Sequence, residues 1–423
     1  MQVRRQNKKK IADRKAEINM SLIVQKFGGS SVANAERVFN VANRIKEYYD
    51  KGNKIVVVVS AQGDTTDDLI EKAQEINPKA SKREMDVLLS AGEQISMALL
   101  AMALEKLGCP VISLTGWQAG MKTNSTHSAA RIKKVDSERI LRELDQNKIV
   151  IVAGLQGINR YDDITTLGRG GSDTSAVALA AAVGADLCQI YTDVKGVYTT
   201  DPRIVPTASK LSDISFDEMV ELASLGANVL HNRSVELAKK FNINLEVLSS
   251  LEKEEGTIVK GVKYVEKMLV RGVARDNDVA RITLQNIEDA PGRAFTVFSI
   301  LAKKNINVDI ILQSLGRDDK QDISFTVPES SLENALEILN ENLGVIGAET
   351  VLYDRNVSKV SAVGAGMSSN PGVAAAMFEA LFASNINILM ISTSEIKISV
   401  LVNQEDAEKA VRAIHEKFDL SHI

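Results

Sequence analysis

The chain has 423 residues and a formal net charge of −4, and 44% of its residues are hydrophobic and 25% are charged. This length predicts two or three globular domains, and the slightly acidic balance gives no electrostatic reason to expect nucleic-acid binding. The two cysteines, Cys109 and Cys188, are far apart and only four histidines are present. Neither a zinc site nor a disulfide framework is indicated, and a reducing, cytoplasmic setting is expected.

Residues 1–20 are basic and polar, with lysines at 8–10, and predict a flexible tail. A secretory signal needs an apolar stretch here, and this segment has none. No apolar run reaches the roughly 18 residues of a membrane span, so no such span is expected. Met20 is an alternative start, and a basic arm for nucleic acid is a less favoured alternative for the tail.

The first predicted strand, Ser21 to Gln25, runs into a turn with Lys26, Gly28 and Gly29, and helical spacing follows from Asn34 to Tyr49. A strand that passes through a glycine-rich turn into a helix directs free N–H groups and the helix dipole at one point, which suits a phosphate. The turn lacks the G-x-x-x-x-G-K-[ST] pattern of a P-loop. On these residues alone, a tight turn with a surface lysine is an equally weighted alternative.

Strands and helices alternate from residue 21 to about residue 250. Lys54 to Ser60 is a continuous β-branched run, typical of a strand buried on both faces. The other predicted strands are Pro110 to Leu114, Lys148 to Ala153, Leu187 to Thr192 and Ile243 to Leu248, and the predicted helices are Glu84 to Leu107, Asp136 to Leu144, Ser172 to Val183, Phe216 to Leu225 and Ser234 to Phe241. This rhythm predicts an α/β fold with a mostly parallel sheet sandwiched by helices. In such sheets, ligands bind beyond the carboxyl ends of the strands.

The chain contains an internal repeat after about residue 255. Three matches share an offset of 80 residues: Pro291 with Pro371, Asn305 with Asn385, and Ser314 with Ser394. One unit is therefore used twice.

Each copy of the repeat is predicted to follow the ferredoxin-like βαββαβ order. The first reads as strand Ala280–Ile287, helix Arg293–Lys304, strands Val308–Ser314 and Asp322–Val327, helix Ser331–Leu343 and strand Glu349–Tyr353. The second reads as strand Lys359–Ala365, helix Gly372–Ala383, strands Ile388–Ser392 and Lys397–Val402, and helix Glu405–Phe418. The second copy lacks a last strand, and we expect Met268 to Ala274 to supply it, so that the first copy is inserted within the second.

The chain resembles aspartate kinase in a series of motifs that stand in the family's order. They are KFGGSS (26–31), VSAQGDTTD (59–67), LSAGEQIS (89–96), GWQAG (116–120), TTLGRGGSDTSAVALAA (165–181) and YTDVKGVYTTDPR (191–203), followed by a paired ACT module. The resemblance covers nearly all of residues 21–420. It implies an amino-acid-kinase domain at 21–262, a first ACT domain at 276–355, and a second ACT domain made of 263–275 and 356–423.

The resemblance implies transfer of the γ-phosphoryl group of MgATP to the β-carboxylate of L-aspartate, which opens the pathway to lysine, threonine and methionine. It implies feedback by lysine, threonine or both through the ACT pair, a homodimer or higher homo-oligomer formed through those modules, and Mg²⁺ held through the ATP phosphates rather than by protein ligands. Met268 starts the regulatory half in frame, so a separate small subunit from an internal start is a further expectation.

The nucleophile in this reaction is a carboxylate that is already ionised near neutral pH. The site must therefore supply positive charge, amide donors and alignment rather than a general base. By the resemblance, Lys26 neutralises the transferring phosphoryl oxygens and Asp173 organises Lys26 and its neighbours. Glu93 takes the substrate ammonium, and the Arg169 guanidinium binds the α-carboxylate bidentately.

The resemblance also implies a wider set of contacts. On the substrate side these are Ser30, Asp64, Thr65, Thr66, Gly170, Gly171 and Ser172, and on the nucleotide side Phe27, Gly28, Gly29, Ser60, Ser172, Thr192, Asp193, Tyr198, Thr199, Asp201, Pro202 and Arg203. From the residues alone, Ser172 and Asp173 also suit a helix N-cap, and 64–66 are otherwise plain turn residues. Asn228 stands where a lysine that contacts nucleotide is often found, so its contact stays open.

Residues in both copies of the repeat resemble the effector pocket of ACT domains. The implied residues are Asp289, Gly292, Arg293, Ala294, Asn307, Val308, Asp309 and Gln313 in the first copy, with Asn387, Ile388, Ser394 and Glu395 as counterparts in the second. A purely structural role for the second set is weighed equally. Two other functions remain as alternatives: another amino-acid kinase acting on glutamate or acetylglutamate, and a non-catalytic amino-acid sensor.

Overall fold

The structure, a computed structural model, describes residues 21–225, 229–261, 270–315, 320–365, 367, 370 and 372–423. The chain divides into two compact units: the first comprises Met1–Val197, Lys210–Val220 and Asn228–Lys263, and the second Tyr198–Ser209, Glu221–Ala227 and Tyr264–Ile423. The predictions made for the tail at 1–20, for Asn228 and for Met268 lie outside the described residues.

The elements up to residue 260 follow the predicted alternation. The strands are β1 (Leu22–Phe27), β2 (Lys54–Val59), β3 (Val111–Leu114), β4 (Met121–Thr123), β5 (Ile132–Val135), β6 (Ile149–Ala153), β7 (Gln156–Ile158), β8 (Ile164–Thr166), β9 (Leu187–Thr192), β10 (Asp213–Ser215), β11 (Leu245–Ser249) and β12 (Thr257–Lys260). The helices are α1 (Ala35–Asp50), α2 (Thr65–Ile76), α3 (Lys82–Lys106), α4 (Glu138–Asp145), α5 (Gly171–Val183), α6 (Phe216–Ser224) and α7 (Asn232–Phe241). All the strands and helices predicted in this part are confirmed, with end shifts of a few residues.

The first unit is built on an eight-stranded sheet in the order β10-β12-β11-β9-β1-β2-β6-β3. Every neighbouring pair is parallel except β11 with β12. Residues of β2 that point to opposite faces, such as Val57 and Val58, are fully buried, so helices cover the sheet on both sides. This confirms the predicted α/β architecture.

The core on one face joins the sheet to α1 and α3. Val41 and Ile45 of α1 and Leu100 and Leu104 of α3 pack with alternate residues of the central strands. Among the described helices, α3 is the one that is long and apolar enough, by length and composition alone, to cross a membrane. Its buried leucines show why such a helix occurs here: it is a core element.

The sequence did not predict α2, the strands β10 and β12 of the main sheet, or the small sheet β5-β4-β7-β8. No residue of α2 is buried, so the apolar periodicity that identifies a helix is weak there. The strands of the small sheet have three or four residues each, too few to establish an alternating pattern.

The second unit contains the repeat. Its strands are β13 (Gly272–Asp276), β14 (Ala280–Glu288), β15 (Ile311–Leu315), β16 (Lys320–Val327), β17 (Thr350–Asp354), β18 (Val357–Val363), β19 (Met390–Thr393) and β20 (Lys397–Asn403), and its helices are α8 (Arg293–Lys303), α9 (Leu332–Glu341), α10 (Leu343–Ile346), α11 (Gly372–Ala383) and α12 (Ala407–Lys417). They form two antiparallel sheets, β15-β16-β14-β17 and β13-β18-β20-β19. β13 pairs with β18, which confirms that a strand preceding the first copy completes the sheet of the second.

Two details of the second unit differ from expectation. β15 begins at Ile311 rather than Val308. Backbone hydrogen bonds still join Asp309 and Ile310 to Thr326 at 3.1 and 3.0 Å, but the N–H of Ile310 donates to the Thr326 hydroxyl at 3.1 Å. The compact units do not coincide with the predicted domains, whose bounds stay a prediction: the segment Tyr198–Ser209 belongs to the second unit, where Ile204 and Val205 pack in the core of the β13-β18-β20-β19 sheet.

Candidate active site

The candidate site lies at the carboxyl ends of the central parallel strands. β1 ends at Phe27, β2 at Val59 and β6 at Ala153, and these strands are neighbours. Their carboxyl ends therefore lie along one edge of the sheet. At this edge the Lys26 ammonium lies 2.7 Å from Oδ1 of Asp173, and both side chains are mostly buried. The first turn of α5 thus supplies a carboxylate to the cation of β1.

The glycines after β1 permit a close approach of two turns. A Cβ on Gly29 would lie 2.6 Å from the Ala61 carbonyl oxygen and 3.1 Å from that of Gly63, so only glycine fits without moving backbone. Gly28 lies beside the Lys26 ammonium, where a Cβ would meet Nζ at 3.5 Å. This turn brings backbone to the cation, as a phosphate-binding loop requires.

Glu93 is buried beneath the turn that follows β2. Its Oε1 accepts the N–H of Ala61 at 3.2 Å, whereas its Oε2 has no hydrogen-bond partner in the described part of the chain. Gly92 permits this packing, since a Cβ there would lie 2.8 Å from that of Ala61. Burial raises the pKa of Glu93 from 4.5 to about 7. An unsatisfied buried carboxylate of this kind suits a cationic ligand group.

The loop before α5 presents Arg169. Arg169 is exposed and forms no ion pair with any described residue. Gly170 has φ +65°, and a Cβ there would collide with the His231 ring at 2.2 Å. Ser172 and Asp173 are buried in the first turn of α5. A Cβ on Gly154, directly after β6, would lie 2.7 Å from the Ser172 hydroxyl. The end of β6 and the start of α5 are therefore in contact.

Of the predicted loop residues Asp64, Thr65 and Thr66, the two threonines are helical. Asp64 precedes α2, and the two threonines form its first turn. They still follow β2 at the same sheet edge, with Asp64 exposed and both threonines half-buried. Ser30 is exposed in the short 3₁₀ turn Gly29–Val32, and the N–H of Ser60 donates to the Phe27 carbonyl at 3.1 Å.

The predicted nucleotide-side residues are divided between the two units. In the first, Thr192 ends β9 and its hydroxyl donates to Asp193 at 3.0 Å. In the second, the Arg203 guanidinium contacts Asp201 through Nε at 3.0 Å and Nη2 at 2.8 Å. These contacts hold the pKa of Asp201 below its usual value. Tyr198, Thr199 and Pro202 lie in the same segment, where the buried Thr199 hydroxyl lies 2.9 Å from Nε2 of His415.

The predicted effector residues of the first copy lie at both ends of α8 and on β15. Gly292, with φ +93°, caps α8, and Arg293 pairs with Glu288. Asn307, Val308 and Asp309 line a cavity of about 110 Å³.

The Asp309 carboxylate in this cavity is already paired. It lies 2.6 Å from the ammonium of Lys359, which also lies 3.2 Å from Asp276. The remaining predicted residues lie apart: Gln313 is on β15 and contacts Gln321, and Ser394 forms a turn before β20 by accepting the N–H of Lys397 at 3.2 Å.

Sequence reasoning missed the polar residues that hold the Arg169 loop. Arg233 of α7 donates to the carbonyl oxygens of Leu167 (3.0 Å) and Ala130 (2.8 Å). Asp86 of α3 binds the same region from another side. The one available signal was weak: Asp86 lies seven residues before Glu93, on the same helix face.

No group of three or more His, Cys, Asp or Glu side chains suited to holding a metal occurs among the residues that the structure describes. Charge at the site comes instead from Lys26 and Asp173, Glu93 and Arg169. This set can receive two anions and one ammonium group.

Comparisons with known proteins show what the chain is similar to. The profile of the amino acid kinase family matches residues 21–249, and an ACT domain profile matches 285–343 and 360–418. The aspartokinase of Corynebacterium glutamicum is 53% identical over 408 residues, which are 95% of this chain and 97% of that protein.

Solved structures give the same result. The crystal structure of E. coli aspartokinase III in complex with aspartate and ADP, in the R-state, has a TM-score of 0.79 and 28% identity, covering 94% of this chain and 99% of that one. The same protein in complex with lysine and aspartate, in the T-state, has a TM-score of 0.75 and 27% identity over the same shares of the two chains.

Proposed function

We propose a role in phosphoryl transfer for each residue of this site, given that the chain belongs to the amino acid kinase family and, within it, to the aspartokinases. It is an aspartate kinase, which transfers the γ-phosphoryl group of ATP to the β-carboxylate of L-aspartate and forms 4-phospho-L-aspartate. This reaction is the first step of lysine, threonine and methionine biosynthesis, and it is feedback-regulated through the ACT domains.

The observation that carries the assignment of residues is the buried Lys26–Asp173 pair beside the Gly28–Gly29 turn. A carboxylate that approaches ATP is repelled by the phosphate charges, so catalysis depends on a fixed cation at the transferring group. Lys26 supplies this cation. Asp173 holds the ammonium in place before ATP binds, and the glycine turn brings N–H groups to the phosphates.

Aspartate is held by its two backbone ions. Glu93 receives the ammonium on its unsatisfied Oε2, and the exposed Arg169 guanidinium binds the α-carboxylate bidentately. The β-carboxylate is then free to face ATP. The substrate side is completed by Ser30, Asp64, Thr65, Thr66, Gly170, Gly171 and Ser172.

Nucleotide binding uses a second set of residues. Thr192 and Asp193 follow β9 at the same sheet edge, and we assign both to the nucleotide. Mg²⁺ would neutralise phosphate charge and would be held through the ATP phosphates.

Regulation acts through an amino acid bound at the first ACT domain. Lysine is the favoured effector, because the lysine complex of the E. coli relative is a T-state, and threonine is the second candidate. Asp309 lines a cavity beside Asn307 and Val308, and its carboxylate suits an ammonium group. We further propose a homo-oligomer formed through the ACT modules and a cytoplasmic enzyme, the latter because Cys109 and Cys188 are both free.

The experiment that tests the assignment is ATP-dependent acyl hydroxamate formation with aspartate and with glutamate. Lys26→Ala is expected to lower turnover by about 10²-fold or more with the fold retained. Lys54→Ala is the matched control, since Lys54 also pairs with a carboxylate, that of Asp145 at 2.8 Å, but lies at the opposite end of its strand.

Normal turnover in Lys26→Ala would refute the assignment. Wild-type protein that phosphorylates no acidic amino acid would favour the non-catalytic sensor instead. Millimolar lysine and threonine, alone and together, test the regulatory part, and unchanged activity in all three mixtures would contradict it.

A further inference from the structure

We propose that Asp86 is a positioning residue for aspartate binding, because it fixes the Arg169 loop to the helix that carries Glu93. The inference rests on the roles proposed above for Glu93 and Arg169. It adds a residue that contacts neither substrate but sets the relation between the two groups that recognise it.

Asp86 is a fully buried carboxylate surrounded by donors from two other segments. Its Oδ1 accepts the Thr166 hydroxyl at 2.6 Å. Both of its oxygens accept the N–H of Ser128 at 3.0 Å, and Oδ2 lies 2.9 Å from Nδ1 of His127. Asp86 itself is 0% exposed. A buried carboxylate with this many donors is held firmly, and so are the donors.

The two segments that Asp86 binds are those that shape the Arg169 loop. Thr166 ends β8, three residues before Arg169. The Thr166 carbonyl accepts the N–H of Ala130 at 2.9 Å, and a Cβ on Gly168 would lie 2.9 Å from the Ser128 carbonyl oxygen. The 127–130 segment is thus packed against the loop along its length. The Arg169 side chain is exposed, but its backbone is anchored on both sides.

The same helix also carries the ammonium-binding group. Asp86 and Glu93 are seven residues apart on α3, which is two turns and about 10 Å along one face. A single rigid element therefore fixes the Glu93 carboxylate directly and the Arg169 loop through Asp86. The ammonium and carboxylate of an α-amino acid have a set separation, so the two receiving groups must keep a matching one.

A positioning role predicts a selective kinetic effect. Asp86→Asn keeps the shape but places an amide N–H₂ among donors. We expect the KM for aspartate to rise roughly tenfold, the change typical of a lost charge-assisted hydrogen bond, while the KM for ATP stays within about twofold. Thr166→Val removes the donor from the other side and is expected to shift the KM for aspartate in the same direction, by about threefold, which keeps the test open if Asp86→Asn does not fold. Glu143→Gln is the matched control, because Glu143 of α4 is another buried carboxylate. It lies 2.7 Å from Arg139 and 2.7 Å from Lys148.

A double-mutant cycle with Arg169→Ala separates the two proposals. If Asp86 acts through Arg169, the effect of Asp86→Asn on the KM for aspartate disappears in the Arg169→Ala background. An undiminished effect of Asp86→Asn in the Arg169→Ala background overturns the inference. So does an Asp86→Asn variant that changes only thermal stability and leaves the KM for aspartate unchanged, which is the behaviour expected of Glu143→Gln. Both outcomes leave the proposed role of Arg169 intact. An Arg169→Ala variant with normal aspartate KM instead refutes the proposed role of Arg169.

Discussion

Aspartate binding is expected to weaken about tenfold between pH 8 and pH 6, because the group proposed to receive its ammonium changes charge in this range. Burial of Glu93 raises its pKa to about 7 in the substrate-free protein. An ammonium favours the ionised carboxylate, so binding is weakened in proportion to the protonated fraction. The sign is fixed: affinity is lost as the pH falls through 7.

The magnitude follows from the fraction of Glu93 that is ionised. With a pKa of about 7, the apparent dissociation constant is multiplied by 1 + 10^(7 − pH), which is about 11 at pH 6 and about 1.1 at pH 8. Their ratio is about tenfold, or about 1.4 kcal/mol. The carboxylates and the ammonium of free aspartate do not titrate in this range, so the change belongs to the protein.

The assay is the KM for aspartate at saturating ATP and constant ionic strength from pH 6 to pH 8. Calorimetry in two buffers of different ionisation enthalpy gives a second measurement, with release of about 0.9 proton on aspartate binding at pH 6 and about 0.1 at pH 8. Glu93→Gln is the control, with a raised KM that no longer depends on pH. A flat KM in the wild type, or the same slope in Glu93→Gln, would refute the reasoning.

Stability provides an independent readout of the same buried charge. The carboxylate with a pKa raised from 4.5 to about 7 destabilises the folded state above pH 7 by about 3 kcal/mol. This penalty is absent below pH 4.5, where the group is protonated in both states, grows between pH 4.5 and about 7, and is constant above that range. Glu93→Gln is therefore expected to be more stable than the wild type at pH 8 although it binds aspartate poorly.

Three further predictions concern Gly170 in the Arg169 loop, the hydrophobic core of the first ACT domain, and the cavity lined by Asp309. Gly170→Ala places a Cβ at φ +65° and 2.2 Å from the His231 ring, so we expect thermal denaturation to show a larger loss of stability than for Gly52→Ala. Gly52 has φ +88° but open space around it, and its substitution should cost only about 1–2 kcal/mol. Equal losses of stability would contradict the collision. Phe325→Ala empties a fully buried site in the sheet core and is expected to cost about 3–5 kcal/mol in denaturant titrations, against a change below about 0.5 kcal/mol for the exposed Phe382→Ala. Lys359→Met frees Asp309 from its internal ammonium and is expected to lower the lysine concentration that half-inhibits the enzyme; an unchanged or higher concentration would argue against Asp309 as the receiving group.

The sequence by itself determined the architecture of both parts of the chain. The run KIVVVV of β2 is apolar at every position but the first, and such a pattern is compatible only with a strand covered on both faces. The 80-residue repeat predicted two copies of one unit, and the missing last strand of the second copy located β13 as its partner. Local periodicity and counting suffice for these inferences because they concern contacts that the backbone pattern itself dictates.

The motifs also located most of the candidate site, since residues that follow neighbouring parallel strands must meet at one edge. Lys26 and Asp173 are 147 positions apart in the sequence and 2.7 Å apart in the structure. The sequence did not indicate α2, whose lack of buried residues leaves no apolar face to detect, or the short strands of the β5-β4-β7-β8 sheet.

Only the tertiary structure decided the environment of each charge. Glu93 has the same carboxylate as any exposed glutamate, and its raised pKa arises from the packing of α3 beneath the Ala61 turn. Asp309 acquired an internal partner because β18 carries Lys359 to it. Asp86 collects donors from segments about 40 and 80 residues away. Desolvation and hydrogen bonding depend on which distant groups surround an atom, and no local pattern records them.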